Sequence, residues 1–123
     1  MIIDGKNVAF HLNGKTYHCA MDITMHFIGG KWKTVVLWYL KNKTLRFAEL
    51  KRHIPDITEK MLSLQLKALE EHSLIQRKVF GEKPPIKVEH SMTEFGKTLI
   101  PALNAIAQWG RELAESEGEI IES

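Results

Sequence analysis

This sequence predicts a helix-dominated α+β domain: a winged helix-turn-helix with a two-stranded wing and an extra β-hairpin at the N-terminus. Three observations lead there. Two amphipathic helix patterns, Arg46 to Ile54 and Thr58 to His72, meet across a Pro55-Asp56 break. Two strand patterns, Leu74 to Phe80 and Ile86 to Ser91, follow at once, joined by a turn that holds Gly81, Lys83, Pro84 and Pro85. Near the start, Val8 to Leu12 and Lys15 to Cys19 flank Asn13-Gly14, a dipeptide suited to a two-residue turn whose residues both need φ > 0.

Taken in chain order, the Asn13-Gly14 turn pairs Leu12 with Lys15, Phe10 with Tyr17 and Val8 with Cys19, and makes Phe10 and Tyr17 a cross-strand aromatic pair. A lone two-stranded hairpin is marginal in water, so this one must lie against the helices or a second subunit. Met21 to Ile28 reads as a short helix with Ile23, Phe27 and Ile28 on one stripe, stopped by Gly29-Gly30. Lys31 to Lys41 reads as the next, with Trp32, Val35, Val36, Tyr39 and Leu40 facing the core. Arg46 to Ile54 buries Phe47, Leu50 and Ile54. Thr58 is the expected N-cap of the following helix, in which Leu62, Leu66 and Leu69 fall within about 60° of arc. Thr93 is expected to cap one last helix, Glu94 to Glu117, bent at Pro101. Its stripe of Phe95, Leu99, Leu103, Ile106, Trp109 and Leu113 runs ~30 Å, longer than the small core beneath it, so the stripe is expected to continue onto a second subunit.

The chain, residues 1–123, reads as one domain, without repeats or low-complexity tracts. No apolar run is long enough to span a bilayer, and the N-terminus carries no export signal. A single cysteine, Cys19, excludes an intrachain disulfide and suits a reducing cytoplasm. The formal net charge of +2 hides an asymmetry: residues 31–97 carry 14 Lys/Arg against 8 Asp/Glu, and residues 98–123 carry 1 against 5. A basic centre beside an acidic end suggests a face for a polyanion that leaves out the C-terminus.

With that charge, two helices backed by a basic hairpin suggest a helix in a DNA major groove and a cationic loop beside it. Lys60, Ser63, Leu64 and Lys67 lie away from the leucine stripe. The lysines can reach phosphate or guanine, Ser63 can donate or accept, and Leu64 can touch a thymine methyl. Arg77, Lys83 and Lys87 place charge on the wing, where it can cross the sugar–phosphate backbone. Lys51, Arg52 and Thr58 complete the predicted contact set. Cys19 stands just before a helix N-terminus. The helix dipole favours its thiolate, and burial against Val8 or Phe10 favours the thiol. Six histidines show no metal-binding spacing, and no nucleophile, base and orienting group can be assembled, so the sequence points to neither a metal, a cofactor nor an enzyme. A dimeric protein-interaction module without DNA is the alternative, with the long last helix and acidic tail as its binding surface.

Cys19, Ile28-Gly29-Gly30-Lys31-Trp32, Arg46-Phe47-Ala48-Glu49-Leu50, Ile57-Thr58-Glu59-Lys60-Met61-Leu62 and Gln65-Leu66 together resemble the HxlR-type winged helix-turn-helix regulators. Leu69-Glu70, Leu74-Ile75, Pro84-Pro85, Val88-Glu89 and Thr93-Glu94-Phe95-Gly96 extend the resemblance to Gly110. It implies a homodimeric bacterial transcription factor joined through its first helix (residues 20–30, with Phe27) and its last (94–117, with Leu99, Leu103, Ile106, Trp109 and Leu113), with residues 46–91 on DNA. Some regulators of this type sense oxidants or electrophiles through the cysteine that matches Cys19, which makes Cys19 the candidate sensor; a small-molecule effector between the dimer helices is a separate candidate. Ala20 stands where these regulators usually have proline, Glu59 and Leu64 where they often have glutamine, and Ile86 lengthens the wing turn by one residue. The hairpin of residues 1–19 has no role by analogy.

Overall fold

The computed structural model describes residues 1–122. Two tight hairpins come first: β1 (Ile2–Ile3) with β2 (Lys6–Asn7), and β3 (Phe10–Leu12) with β4 (Lys15–Tyr17). The second keeps the predicted register, Phe10 opposite Tyr17 and Leu12 opposite Lys15. It ends there, so Val8 and Cys19 are not paired. The first, turning on Asp4-Gly5, was not expected. Both turns have the same geometry, with φ of 50° and 77° at Asp4 and Gly5 and again at Asn13 and Gly14.

Four helices follow: α1 (Ala20–Ile28), α2 (Lys33–Leu40), α3 (Phe47–His53) and α4 (Glu59–Glu71). α2 starts later than predicted and also buries Leu37, while Trp32, Val35 and Tyr39 are only partly covered. The core is a single cluster to which α2 gives Val36, Leu37 and Leu40, α3 Leu50, and α4 Leu62, Leu66 and Leu69, closed by Ile54, Ile57 and Leu74. Fully burying each such side chain contributes ~1.5–3 kcal/mol.

The wing is an antiparallel ribbon of β5 (Ile75–Phe80) and β6 (Lys87–Met92), in register from Ile75 opposite Met92 to Phe80 opposite Lys87. Leu45 adds a bridge to His90, with mutual backbone hydrogen bonds of 2.9 and 2.8 Å. The join from α4 to the ribbon is tight. Ser73 takes φ 59°, and the amides of Ser73 and Leu74 donate back to the carbonyls of Glu70 and Leu69 at 2.9 and 3.0 Å. These are the two bonds of a Schellman stop. Thr93 locks it: its Oγ1 donates to the Ser73 carbonyl at 2.6 Å and accepts from the Gly96 amide at 2.9 Å.

The C-terminal helix departs from expectation. It is two helices, α5 (Glu94–Lys97) and α6 (Ile100–Glu117), with Pro101 in the first turn of α6. A proline lacks the N–H that the first turn does not use, so Pro101 starts a helix rather than bending one. The break also reassigns the stripe. Leu103 lies in the protomer's own core at 2% exposure, while Ile106, Trp109 and Leu113 remain exposed.

Two expectations follow. A Cβ at Gly96 would collide with the Leu74 carbonyl, whose carbon would lie 2.9 Å away. Gly96→Ala should therefore lower unfolding free energy by about 1–3 kcal/mol in urea titrations. His90 is buried and its Nδ1 has no partner. Burial first, and then the Arg77 charge, hold its pKa below 6.5. The unfolded chain takes up that proton first, so stability is full above 6.5 and declines as pH falls below it. Thermal midpoints measured across this range should fall in the wild type and fall less in His90→Gln.

Candidate nucleic-acid interface

α4 is amphipathic because leucines recur on one side only, and their burial turns the other side outward. Lys60, Ser63, Leu64 and Lys67, at i, i+3, i+4 and i+7, share that side and are all exposed, Leu64 by 51%. Thr58 caps the helix: its Oγ1 accepts from the Met61 amide at 3.0 Å. Its hydroxyl thus accepts within the helix and keeps its own O–H to donate outward from an exposed position. At the N-terminus of α3 the Arg46 amide donates to Glu49 Oε1 at 2.9 Å. At the other end Lys51 Nζ donates to the Pro55 carbonyl at 3.2 Å. Lys51 therefore fastens the turn between the helices, and Arg52 beside it is exposed.

The ribbon register separates residues that the sequence grouped. Arg77 opposes His90, and Lys87 opposes Phe80. Alternation therefore puts Arg77, Val79 and Val88 on one face, and Lys78, Phe80, Lys87 and Glu89 on the other. Lys87 Nζ lies 3.1 Å from Glu89 Oε1. Lys78 and Lys87 both sit over the Phe80 ring, at 5.3 and 5.9 Å from its centre. Lys83 is exposed in the turn. Lys78, a second cation of the first wing strand, is exposed on the same ribbon face as Lys87.

Cys19 is the N-cap residue of α1, extended at φ −142° and ψ 138°, half-buried and a free thiol. Phe27, expected at a subunit interface, is half-buried and packs in an intrachain aromatic cluster, its ring centre 5.1 Å from His72 and 5.8 Å from Phe95. Leu99 packs against the protomer core. The exposed apolar residues of α1 are Met21 and Met25. Among the described residues no three metal-binding side chains converge, and no helix is long and apolar enough to cross a membrane.

The HxlR-like helix-turn-helix model matches residues 27–118, α1 from Phe27 through α6. The chain belongs to this family. The HTH-type transcriptional regulator YkvN of Bacillus subtilis is 46% identical over 113 residues, which are 88% of this chain and 95% of that protein. The oxidised form of the redox regulator HypR is 38% identical with a TM-score of 0.72, covering 83% of this chain and all of that one. Reduced YodB of B. subtilis is 30% identical with a TM-score of 0.62, covering 85% of this chain and 98% of that one, and a diamide-treated YodB is 31% identical with a TM-score of 0.59. A quinone-bound YodB is also solved. The protein is thus an HxlR-type winged helix-turn-helix transcriptional regulator. Its first two hairpins lie outside the family match.

Proposed function

We propose that this regulator is a homodimer that binds a pseudo-palindromic site in double-stranded DNA and responds to oxidants or electrophiles through Cys19. The observation that carries the DNA reading is the bare outer face of α4, where two lysines, a hydroxyl and one apolar side chain stand beside a ribbon bearing Arg77, Lys78, Lys83 and Lys87. Lys60 and Lys67 contact phosphate or guanine, Ser63 and Leu64 read base edges, and Arg52 and Lys83 bind backbone phosphates. The reaction is binding rather than turnover, in the cytoplasm.

The dimer reading rests on apolar surface that a lone chain leaves in water. Trp109 is 69% exposed and Ile106 51% on α6, and Met21 is 60% exposed on α1. A second copy covering both helices removes that penalty and sets two α4 helices ~34–36 Å apart, one duplex turn. For an effector, a cavity of about 410 Å³ opens beside Tyr17, His26, Phe27, His72 and Phe95.

Cys19 is the sole thiol, so its responses are limited to an adduct, an oxidised sulfur or a bond to another molecule. HypR is a redox regulator, and the YodB structures include quinone-bound and diamide-treated forms. Cys19 has the exposure for such chemistry, and its position at the first turn of α1 ties any change to a helix of the dimer surface.

Two measurements test this. Binding should weaken steeply with salt, and Lys83→Ala should flatten the log–log slope by about two units, one for each protomer of a dimer. A change of about one unit contradicts the dimer, and no change contradicts the wing contact. Quinone or diamide should alter DNA affinity of the wild type and leave Cys19→Ser unaffected. An equal response of the two removes Cys19 from the sensing role.

A further inference from the structure

We propose that the cavity between the β3–β4 hairpin and the end of α4 binds a planar aromatic acid that also carries a hydrogen-bond donor, a hydroxybenzoate being the simplest case, and that its occupancy alters DNA affinity. This ligand class rests on the effector reading above and deepens it.

The cavity, about 410 Å³, falls within the ~300–1,000 Å³ of small-molecule sites. Its walls come from two sources. The helices α1, α4 and α5 bring His26, Phe27, His72 and Phe95. The hairpin brings Leu12, Asn13, Lys15 and Tyr17, all outside the residues 27–118 that match the family model. The family fold alone therefore does not supply this site. The hairpin gains a task, since it closes one side.

Tyr17 points to a ligand. The residue is 7% exposed, and its hydroxyl has no hydrogen-bond partner among the described residues. That oxygen is still not sealed in protein, because His90 Nδ1 is the one buried side-chain atom left without a partner among those residues. The hydroxyl of a nearly covered ring thus opens on the cavity that the ring lines. The other rings are tilted against one another, His26 on His72 at 5.0 Å and 76°, and Phe27 on Phe95 at 5.8 Å and 69°. Tilted rings offer both edges and faces to a flat aromatic guest. A second cavity of about 380 Å³ adjoins across Phe27 and Phe95 and is lined by Ile23, Leu74 and Leu99, so the guest also meets an apolar side.

Charge sets the rest. Lys15 on the hairpin and Glu71 in the last turn of α4 are the charged groups of the lining, one on each wall. Lys15 Nζ already lies 5.1 Å from the centre of the Tyr17 ring, so a cationic ligand is repelled there. A carboxylate pairs with Lys15 and accepts from the Tyr17 hydroxyl, and a donor elsewhere on the ring serves Glu71. Such a ligand touches His72, the C-cap of α4, Ser73 at its φ of 59°, and Phe95 of α5. These residues hold the helix and the wing at their angle, so occupancy acts on the pair that reads DNA.

Calorimetry on the whole protein without DNA tests the site, with 4-hydroxybenzoate, cyclohexanecarboxylate and benzylamine as probes. The hydroxybenzoate should bind once per chain with a sub-millimolar constant, and the other two more weakly. Tyr17→Phe, which removes only the hydroxyl, and Lys15→Met, at an exposed position, should each weaken it about tenfold. Lys83→Ala should not. Saturating 4-hydroxybenzoate should then shift the affinity of the wild type for a duplex selected from random sequence by roughly fivefold or more. Benzylamine bound as tightly as the acid, or equal affinity in wild type, Tyr17→Phe and Lys15→Met, overturns the ligand class and leaves an effector cavity standing. No binding of any probe overturns the cavity as an effector site as well. Binding that leaves DNA affinity unchanged overturns the regulatory role. A protein that binds the acid and enriches no duplex upholds the site and overturns the DNA-binding reading instead.

Discussion

The angle between the recognition helix and the wing rests on one small cluster of hydrogen bonds around Leu74. The Leu74 amide closes the end of α4 on the Leu69 carbonyl, and its own carbonyl accepts from the Thr93 amide at 3.1 Å. The Thr93 hydroxyl holds the Ser73 carbonyl and caps α5 in the same stroke. α5 can come this close only because Gly96 has no side chain. Helix end, both wing strands and α5 are thereby joined in a few residues. A DNA reader that works with a helix and a hairpin together needs that angle fixed before binding, since ordering it on the DNA would subtract from affinity.

Much of this could be read from the residues, for reasons that are themselves local. The Asn13-Gly14 turn set its strand register because both residues adopt positive φ and a two-residue loop allows one pairing. The α4 stripe was legible because three leucines at helical spacing leave no competing face. Asp4-Gly5 forms the same turn but sits between strands of two residues, too short to show alternation. The C-terminal helix was misread because apolar spacing continues through Leu99 and Leu103 while the backbone does not. Periodicity cannot distinguish a proline that kinks a helix from one that begins it. That distinction decides which leucines belong to the core and which remain outside.

The site divides along the same line. Helical spacing placed Lys60, Ser63, Leu64 and Lys67 together, since four residues on one helix face need only the pitch. The wing residues depended on strand register across a turn of uncertain length, and a slip of one residue exchanges the faces. Hence Arg77 and Lys87 proved to lie on opposite sides, and Lys78 joined Lys87. Lys51 and Thr58 were legible as polar groups near the helix ends. Thr58 was legible also as the N-cap of α4, whereas the use of Lys51 in tying the Pro55 turn depends on a backbone carbonyl that a sequence does not display.

The fold also supplies a short path from Cys19 to the DNA face. α1 begins at the residue after Cys19 and, two turns on, presents His26 and Phe27 to His72, the C-cap of α4. The ring centres of His26 and His72 are 5.0 Å apart, and that of Phe27 is 5.1 Å from His72 and 5.8 Å from Phe95 of α5. Tyr17, from the hairpin that leads to Cys19, closes the group against His26 at 6.2 Å. A shift of α1 therefore meets aromatic rings on both helices that set the wing angle. Packed rings tend to have a few discrete arrangements rather than a continuum. In the dimer and sensor proposed above, a chemical change at Cys19 would act by favouring one such arrangement, and a duplex of fixed repeat would convert the resulting small change in the spacing of the two α4 helices into a large change in affinity.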